Sequence, residues 1–95
     1  MIIGRRRVRP AVTVYTRQGC GLCRRAEHVV LHVGLRAADI TLVDIDHEPT
    51  DVRERYTLRV PVVAVDGVEV AEVEVDPGVL RAAIRSAREA RIAGS

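Results

Sequence analysis

The distribution of apolar positions divides this chain into short β-rich runs and stretches of helical period. Residues 11–16 read A-V-T-V-Y-T, a strand pattern, and Arg17, Gln18 and Gly19 follow as loop material. From Gly21 the period changes. Leu22, Ala26, Val29, Val30 and Val33 recur at three-to-four spacing and predict a helix of about 13 residues, with Gly34 placed to terminate it. Residues 40–45 (I-T-L-V-D-I) predict a second strand, and the polar stretch 46–50 leads into a short helix through Tyr56. Residues 62–65 and 68–71 are apolar runs on either side of Asp66-Gly67, a pair that supplies the positive φ values of a tight hairpin. They predict antiparallel third and fourth strands. Asp76 offers a side-chain cap and Pro77 a pre-set first helical position, ahead of an apolar stripe of Leu80, Ala83, Ile84 and Ala87. The order is β-α-β-α-β-β-α, and a right-handed crossover through the first helix makes strands one and two parallel.

Size and composition narrow this picture. A chain of 95 residues holds one modest core and not two. Hydrophobic residues make up 47% of it, yet Trp and Phe are absent and the only aromatics are Tyr15 and Tyr56. The core must therefore be built of Val, Ile, Leu and Ala. Fifteen basic against 13 acidic residues leave a formal net charge of +2, which names no partner. Every basic side chain but the histidines is Arg, a pattern read as genomic composition bias. The densest run, Arg5, Arg6, Arg7 and Arg9, lacks interleaved aromatics on which bases could stack, so a solvated arm is expected and no nucleic-acid partner. Arg81, Arg85, Arg88 and Arg91 on the last helix are read as a solvated face. Neither a signal peptide nor a membrane span is visible, and a cytoplasmic protein is expected.

In a reducing compartment two closely spaced cysteines point to redox chemistry or metal binding rather than a structural staple. Cys20-Gly21-Leu22-Cys23 puts the first sulfur at a helix N-terminus, where unpaired N–H groups and the positive dipole end favour an anion. A fall in thiol pKa from about 8.5 to about 6.5 would raise the thiolate fraction at neutral pH from roughly 3% to roughly three quarters. Arg17, Arg24 and Arg25 lie near enough in sequence to add positive potential, and Glu27 is the nearby acid. Cys20 is accordingly read as the attacking thiolate and Cys23, one turn further in, as the less exposed resolving thiol. Zinc is the rival, because His28 and His32 follow. On a helix at about 100° per residue they lie about 140° and about 180° around the axis from Cys23, so the four groups do not converge and no metal site is expected.

The stretch from Val12 to Cys23, V-T-V-Y-T-R-Q-G-C-G-L-C, resembles the strand, loop and C-x-x-C opening of glutaredoxins and glutaredoxin-like proteins. Val60-Pro61-Val62-Val63 followed by Asp66-Gly67 is similar to the proline-led third strand and hairpin of that family, and the likeness spans roughly Val12 to Ile84. It implies a thioredoxin-like, glutaredoxin-type three-layer α/β/α domain over residues 11–92 with a four-stranded mixed sheet, behind a basic N-terminal arm of residues 1–10. It also implies a cis Pro61 beside the sulfurs, with the Val60 backbone pairing to bound peptide or thiol. Arg17 stands where the family often holds a glutathione carboxylate, and Tyr15 at the aromatic position before it. The activity implied is thiol-disulfide exchange on disulfide-containing proteins by a monomer with no bound cofactor, using glutathione, another low-molecular-weight thiol or a thioredoxin-reductase-type donor as reductant. Two features differ from glutathione-binding members. Residues 69–78 (E-V-A-E-V-E-V-D-P-G) lack their glycine pair, and Gly21-Leu22 replaces the usual Pro-Tyr.

Two other readings stay open on the residues alone. Cys23-Arg24-Arg25-Ala26 resembles the opening of the arsenate-reductase-like and redox-regulator branch of the same fold, although the short span from Asp46 to Pro61 leaves no room for that branch's helical insertion. The other is a non-catalytic interaction module in which the cysteines are two small buried hydrophobes.

Overall fold

The computed structural model describes residues 8–94. Arg5, Arg6 and Arg7 of the expected arm lie outside them. Strands β1 (Ala11–Thr16), β2 (Asp39–Asp44), β3 (Val62–Val65) and β4 (Val68–Glu72) and helices α1 (Gly21–Gly34), α2 (Thr50–Tyr56) and α3 (Pro77–Ala93) appear in the predicted order, with a 3-10 turn at Ile45–His47. The sheet order is β2-β1-β3-β4, with β1 and β2 parallel and the other pairs antiparallel. Alternation along the strands sends side chains to two faces. Val12 and Val14 of β1 and Val63 and Val65 of β3 meet Val30 of α1 and Leu80 and Ile84 of α3 in the main core. On the opposite face Val62 packs with Ile45 and Tyr56, and Tyr15 lies against them. The fold is thus the three-layer thioredoxin type expected from the sequence.

Local chemistry explains most element ends. Asp66 and Gly67 turn the β3–β4 hairpin at φ 48° and 81°. The Asp66 carboxylate also accepts from the Ala11 N–H at 2.9 Å and from Arg91 at 2.7 and 2.8 Å, tying the hairpin to β1 and α3. Asp76 caps α3 by accepting from the Val79 N–H at 2.9 Å, with Pro77 at the first turn.

Several expectations shift. Strand β2 occupies 39–44 rather than 40–45, because its parallel register with β1 closes at Thr16 opposite Asp44, and the Asp44 side chain then accepts from the Asp46 N–H to start the 3-10 turn. Gly34 is the last residue of α1 and adopts no left-handed φ. The helix is stopped instead by its carbonyls: Gly34 O accepts from Ala37 and Ala38, and Arg9 donates to the carbonyls of Leu35, Arg36 and Ala38. Arg9, expected in a solvated arm, is therefore a clamp that also pairs with Asp39 at 3.0 Å. Arg91, read as solvated, is likewise held by Asp66.

Candidate functional site

The end of β1 delivers the chain to the start of α1 through the loop 17–19, where Gly19 takes φ 71°. Cys20 is extended, at φ −115° and ψ 109°, and serves as the N-cap of α1. Its Sγ accepts from the Cys23 backbone N–H at 3.1 Å, and its carbonyl accepts from the Arg24 N–H at 3.1 Å. A sulfur in a position usually held by a Ser or Asp oxygen thus meets one of the same orphan N–H groups. Cys20 is half-buried, whereas Cys23 is sealed from solvent, and the two are joined as a disulfide with Cα atoms 5.2 Å apart. Pro61, fully buried, follows a cis Val60–Pro61 bond, as the resemblance implied.

A hydrogen-bonded frame supports the loop. Buried Thr16 donates its hydroxyl to Glu27 Oε2 at 2.5 Å, and Arg24 reaches Glu27 at 2.7 Å, Thr16 Oγ1 at 3.2 Å and the Arg17 carbonyl at 2.9 Å. Burial alone would raise the Glu27 carboxyl; the bonds from Arg24 and Thr16 outweigh it and hold the group below its usual range. A carboxylate with a depressed pKa adds stability that is complete above its unfolded value, about 4.3, and is lost as pH falls through the folded value. Glu27→Gln is therefore expected to destabilise by about 1 kcal/mol at pH 7 and by progressively less below about pH 4, read from urea unfolding at both pH values. A deficit that does not change with pH would sink this account.

The other residues singled out from the sequence are engaged elsewhere. Arg17 donates to Asp46 at 3.0 and 3.1 Å, and to the Thr57 hydroxyl at 2.9 Å and carbonyl at 3.3 Å, and the guanidinium holds the Asp46 carboxyl below its usual range. Tyr15 stacks on Tyr56 with ring centroids 4.0 Å apart, and burial followed by the Tyr56 hydroxyl contact raises its phenol. Of the three arginines expected to flank the sulfurs, Arg17 and Arg24 are thus paired, and Arg25 has no carboxylate partner among the described residues. His28 and His32 are exposed, and no group of three or more His, Cys, Asp and Glu among the described residues is arranged to hold a metal. No helix there is long and apolar enough to cross a membrane.

Sequence reasoning missed one element of the site. A groove of about 230 Å³ runs between α1 and the β4–α3 connection, lined by Leu22, Arg25, Ala26 and Val29 on one wall and Val73, Glu74 and Val75 on the other. Val73 sits at φ 67°, a region that β-branched residues rarely enter, and its N–H donates to the Pro61 carbonyl at 2.8 Å. The only sequence signal was the missing glycine pair.

Comparison with known proteins bears on this arrangement. A family model described as a glutaredoxin-like domain (DUF836) matches residues 11–85. The X-ray structure of structural-genomics target XcR50 from X. campestris is similar at 32% identity and a TM-score of 0.66, covering 79% of this chain and 96% of that one. Fasciola hepatica thioredoxin is similar in fold, at 22% identity and a TM-score of 0.51 over 90% of this chain and 86% of that one. No curated protein matches the chain.

Proposed function

Because this chain belongs to the glutaredoxin-like domain family, we propose that it is a thiol-disulfide oxidoreductase that reduces protein or mixed disulfides through Cys20 and Cys23. The observation that carries the reading is the asymmetry of the pair: a half-exposed sulfur that accepts from an N–H of a helix's opening turn, bonded to one with no solvent exposure. In the reduced protein that N–H and the helix dipole favour Cys20 as thiolate. The thiolate attacks one sulfur of a substrate disulfide; that bond breaks, a mixed disulfide forms, and the first substrate thiolate leaves and takes a proton. Cys23, deprotonated, then attacks Cys20 Sγ and releases the second substrate thiol. Two electrons and two protons pass to the substrate, and the Cys20–Cys23 disulfide remains for a thiol or dithiol donor to reduce.

The Val60–Pro61 turn is the backbone platform for the bound chain in this reading, and Tyr15 and Arg17 hold the floor and loop around it. A monomer in a reducing compartment such as the cytoplasm, with disulfide-bearing proteins as substrates, fits such a cycle. The test is alkylation of the reduced protein with iodoacetamide at pH 6.5. Cys20 is expected to react at least about tenfold faster than an ordinary peptide thiol, and Cys23 not to react while the protein is folded. A Cys20 rate equal to that of a free peptide thiol would remove the mechanism and favour a non-catalytic interaction module.

A further inference from the structure

At the end of α1 far from the cysteines, four arginines stand together without carboxylates. Arg9, Arg17, Arg24, Arg59 and Arg91 are each held by an Asp or Glu, whereas Arg36, Arg81, Arg85 and Arg88 have no ion-pair partner among the described residues. These four line two hollows between α1 and α3. One, of about 370 Å³, is bounded by Val8, Arg9, Arg36, Ala37 and Arg88. The other, of about 180 Å³, is bounded by Val33, Ala37, Arg81, Ile84, Arg85 and Arg88. Sharing Ala37 and Arg88, the two form one trough, and no Asp or Glu lines it. The formal net charge of the chain is only +2, so this concentration is a local arrangement and not the overflow of a basic protein. Arg9 adds to it indirectly: it pairs with Asp39 and donates to the last carbonyls of α1, covering the negative helix end that would otherwise offset its neighbours.

We infer that this trough is a docking surface for an acidic amphipathic helix of a partner protein. Carboxylates along one side of that helix pair with Arg81, Arg85 and Arg88, and its apolar side chains settle on Val33 and Ala37.

The spacing of the cations sets the shape of the ligand. Arg81, Arg85 and Arg88 are exposed and follow one another at four and three residues, so they form a row on one side of α3. Seven residues of helix rise about 10 Å, farther than a single phosphate or carboxylate bridges, whereas acidic residues at the same spacing on a second helix meet the row one by one. The floor decides between macromolecules. Val33, Ala37 and Ile84 give the trough an apolar base that a phosphodiester backbone would leave unused. Nothing along it can stack on a base, because Tyr15 and Tyr56 pack on the opposite face of the sheet. From Cys20 to Val33 the helix rises about 20 Å, so a partner held here leaves the disulfide open and this surface is separate from the exchange chemistry.

The experiment measures binding to the full chain by fluorescence anisotropy at low and at physiological salt. Four labelled probes are compared. One is a helical peptide with Glu at i, i+4 and i+7 beside a stripe of Leu, and the second is the same peptide with Ala in place of Leu. The others are a single-stranded and a duplex DNA oligonucleotide of mixed sequence. The Leu peptide is expected to bind tightest, to weaken as salt rises, and to exceed the Ala peptide by at least about tenfold, the scale of burying a Leu side chain. Arg81→Glu with Arg85→Glu is expected to weaken it by at least about tenfold. Arg53→Glu with Arg55→Glu makes the same change in net charge on α2, across the sheet, and is expected to leave binding within about twofold; thermal unfolding confirms that both variants are folded. Equal binding of the two peptides, tighter binding of either oligonucleotide, an equal loss in the two double variants, or no measurable binding of the Leu peptide overturns the proposal.

Discussion

Cys20→Ser is expected to abolish disulfide reduction, by at least about a thousandfold, whereas Cys23→Ser completes the first half of the reaction and stops with substrate attached. The division follows from where the helix puts each sulfur. Cys20 is the N-cap, half-exposed, and its Sγ already accepts an N–H bond, so it can meet a substrate and be stabilised as an anion. Cys23 has no exposed surface and can reach only a disulfide formed on its neighbour. The mixed disulfide in Cys23→Ser is expected to survive a non-reducing gel and to add the mass of one substrate chain; Cys20→Ser is expected to form no adduct. Cys23→Ala, which keeps a small apolar group in the buried site, separates lost chemistry from lost packing and is expected to trap equally well. Adduct formation through Cys23 in Cys20→Ser would reverse the assignment.

Short-range chemistry was the part of this site most open to reading. The Cys-x-x-C spacing, Asp66-Gly67 and Asp76-Pro77 each act within a few residues, so their consequences at the helix N-terminus, the hairpin and the α3 cap follow from local stereochemistry. Pairing across the fold was hidden. Arg17 reads in sequence as a free cation beside the cysteines, and only the return of the chain through the 3-10 turn and α2 brings Asp46 and Thr57 to it. The same holds for Arg9, whose partners at the end of α1 lie beyond any local pattern. Gly34 shows the opposite error. A glycine after an apolar stripe suits a left-handed helix stop, but here Arg9 and the amides of Ala37 and Ala38 meet the terminal carbonyls, and no left-handed residue is required. The groove escaped notice because its walls come from α1 and from the β4–α3 connection, which nothing in a linear pattern places opposite each other.

Tyr56→Ala is expected to remove about 3–5 kcal/mol of stability, a large part of the 5–15 kcal/mol available to a domain of this size. In a chain without Phe or Trp, the second face of the sheet depends on one aromatic pair. Tyr56 is 5% exposed, packs with Ile45 and Val62, and lies over Tyr15 at 4.0 Å with the rings only 12° from parallel. Helix α2 is only 7 residues long, too short to persist without that anchor. Its Tyr56 carbonyl accepts from the N–H groups of Arg59 and Val60, so the same residue sets the approach to Pro61. The melting temperature is expected to fall by at least about 12 °C, and the urea midpoint to fall with it. Tyr15→Ala should cost less, because Tyr15 is half-exposed, and the double variant should show a coupling of about 0.5–1.5 kcal/mol for the stacked rings. A loss below about 1 kcal/mol in Tyr56→Ala would mean that α2 is held by something other than this ring, and additivity in the double variant would mean that the stack contributes area but no pairing energy.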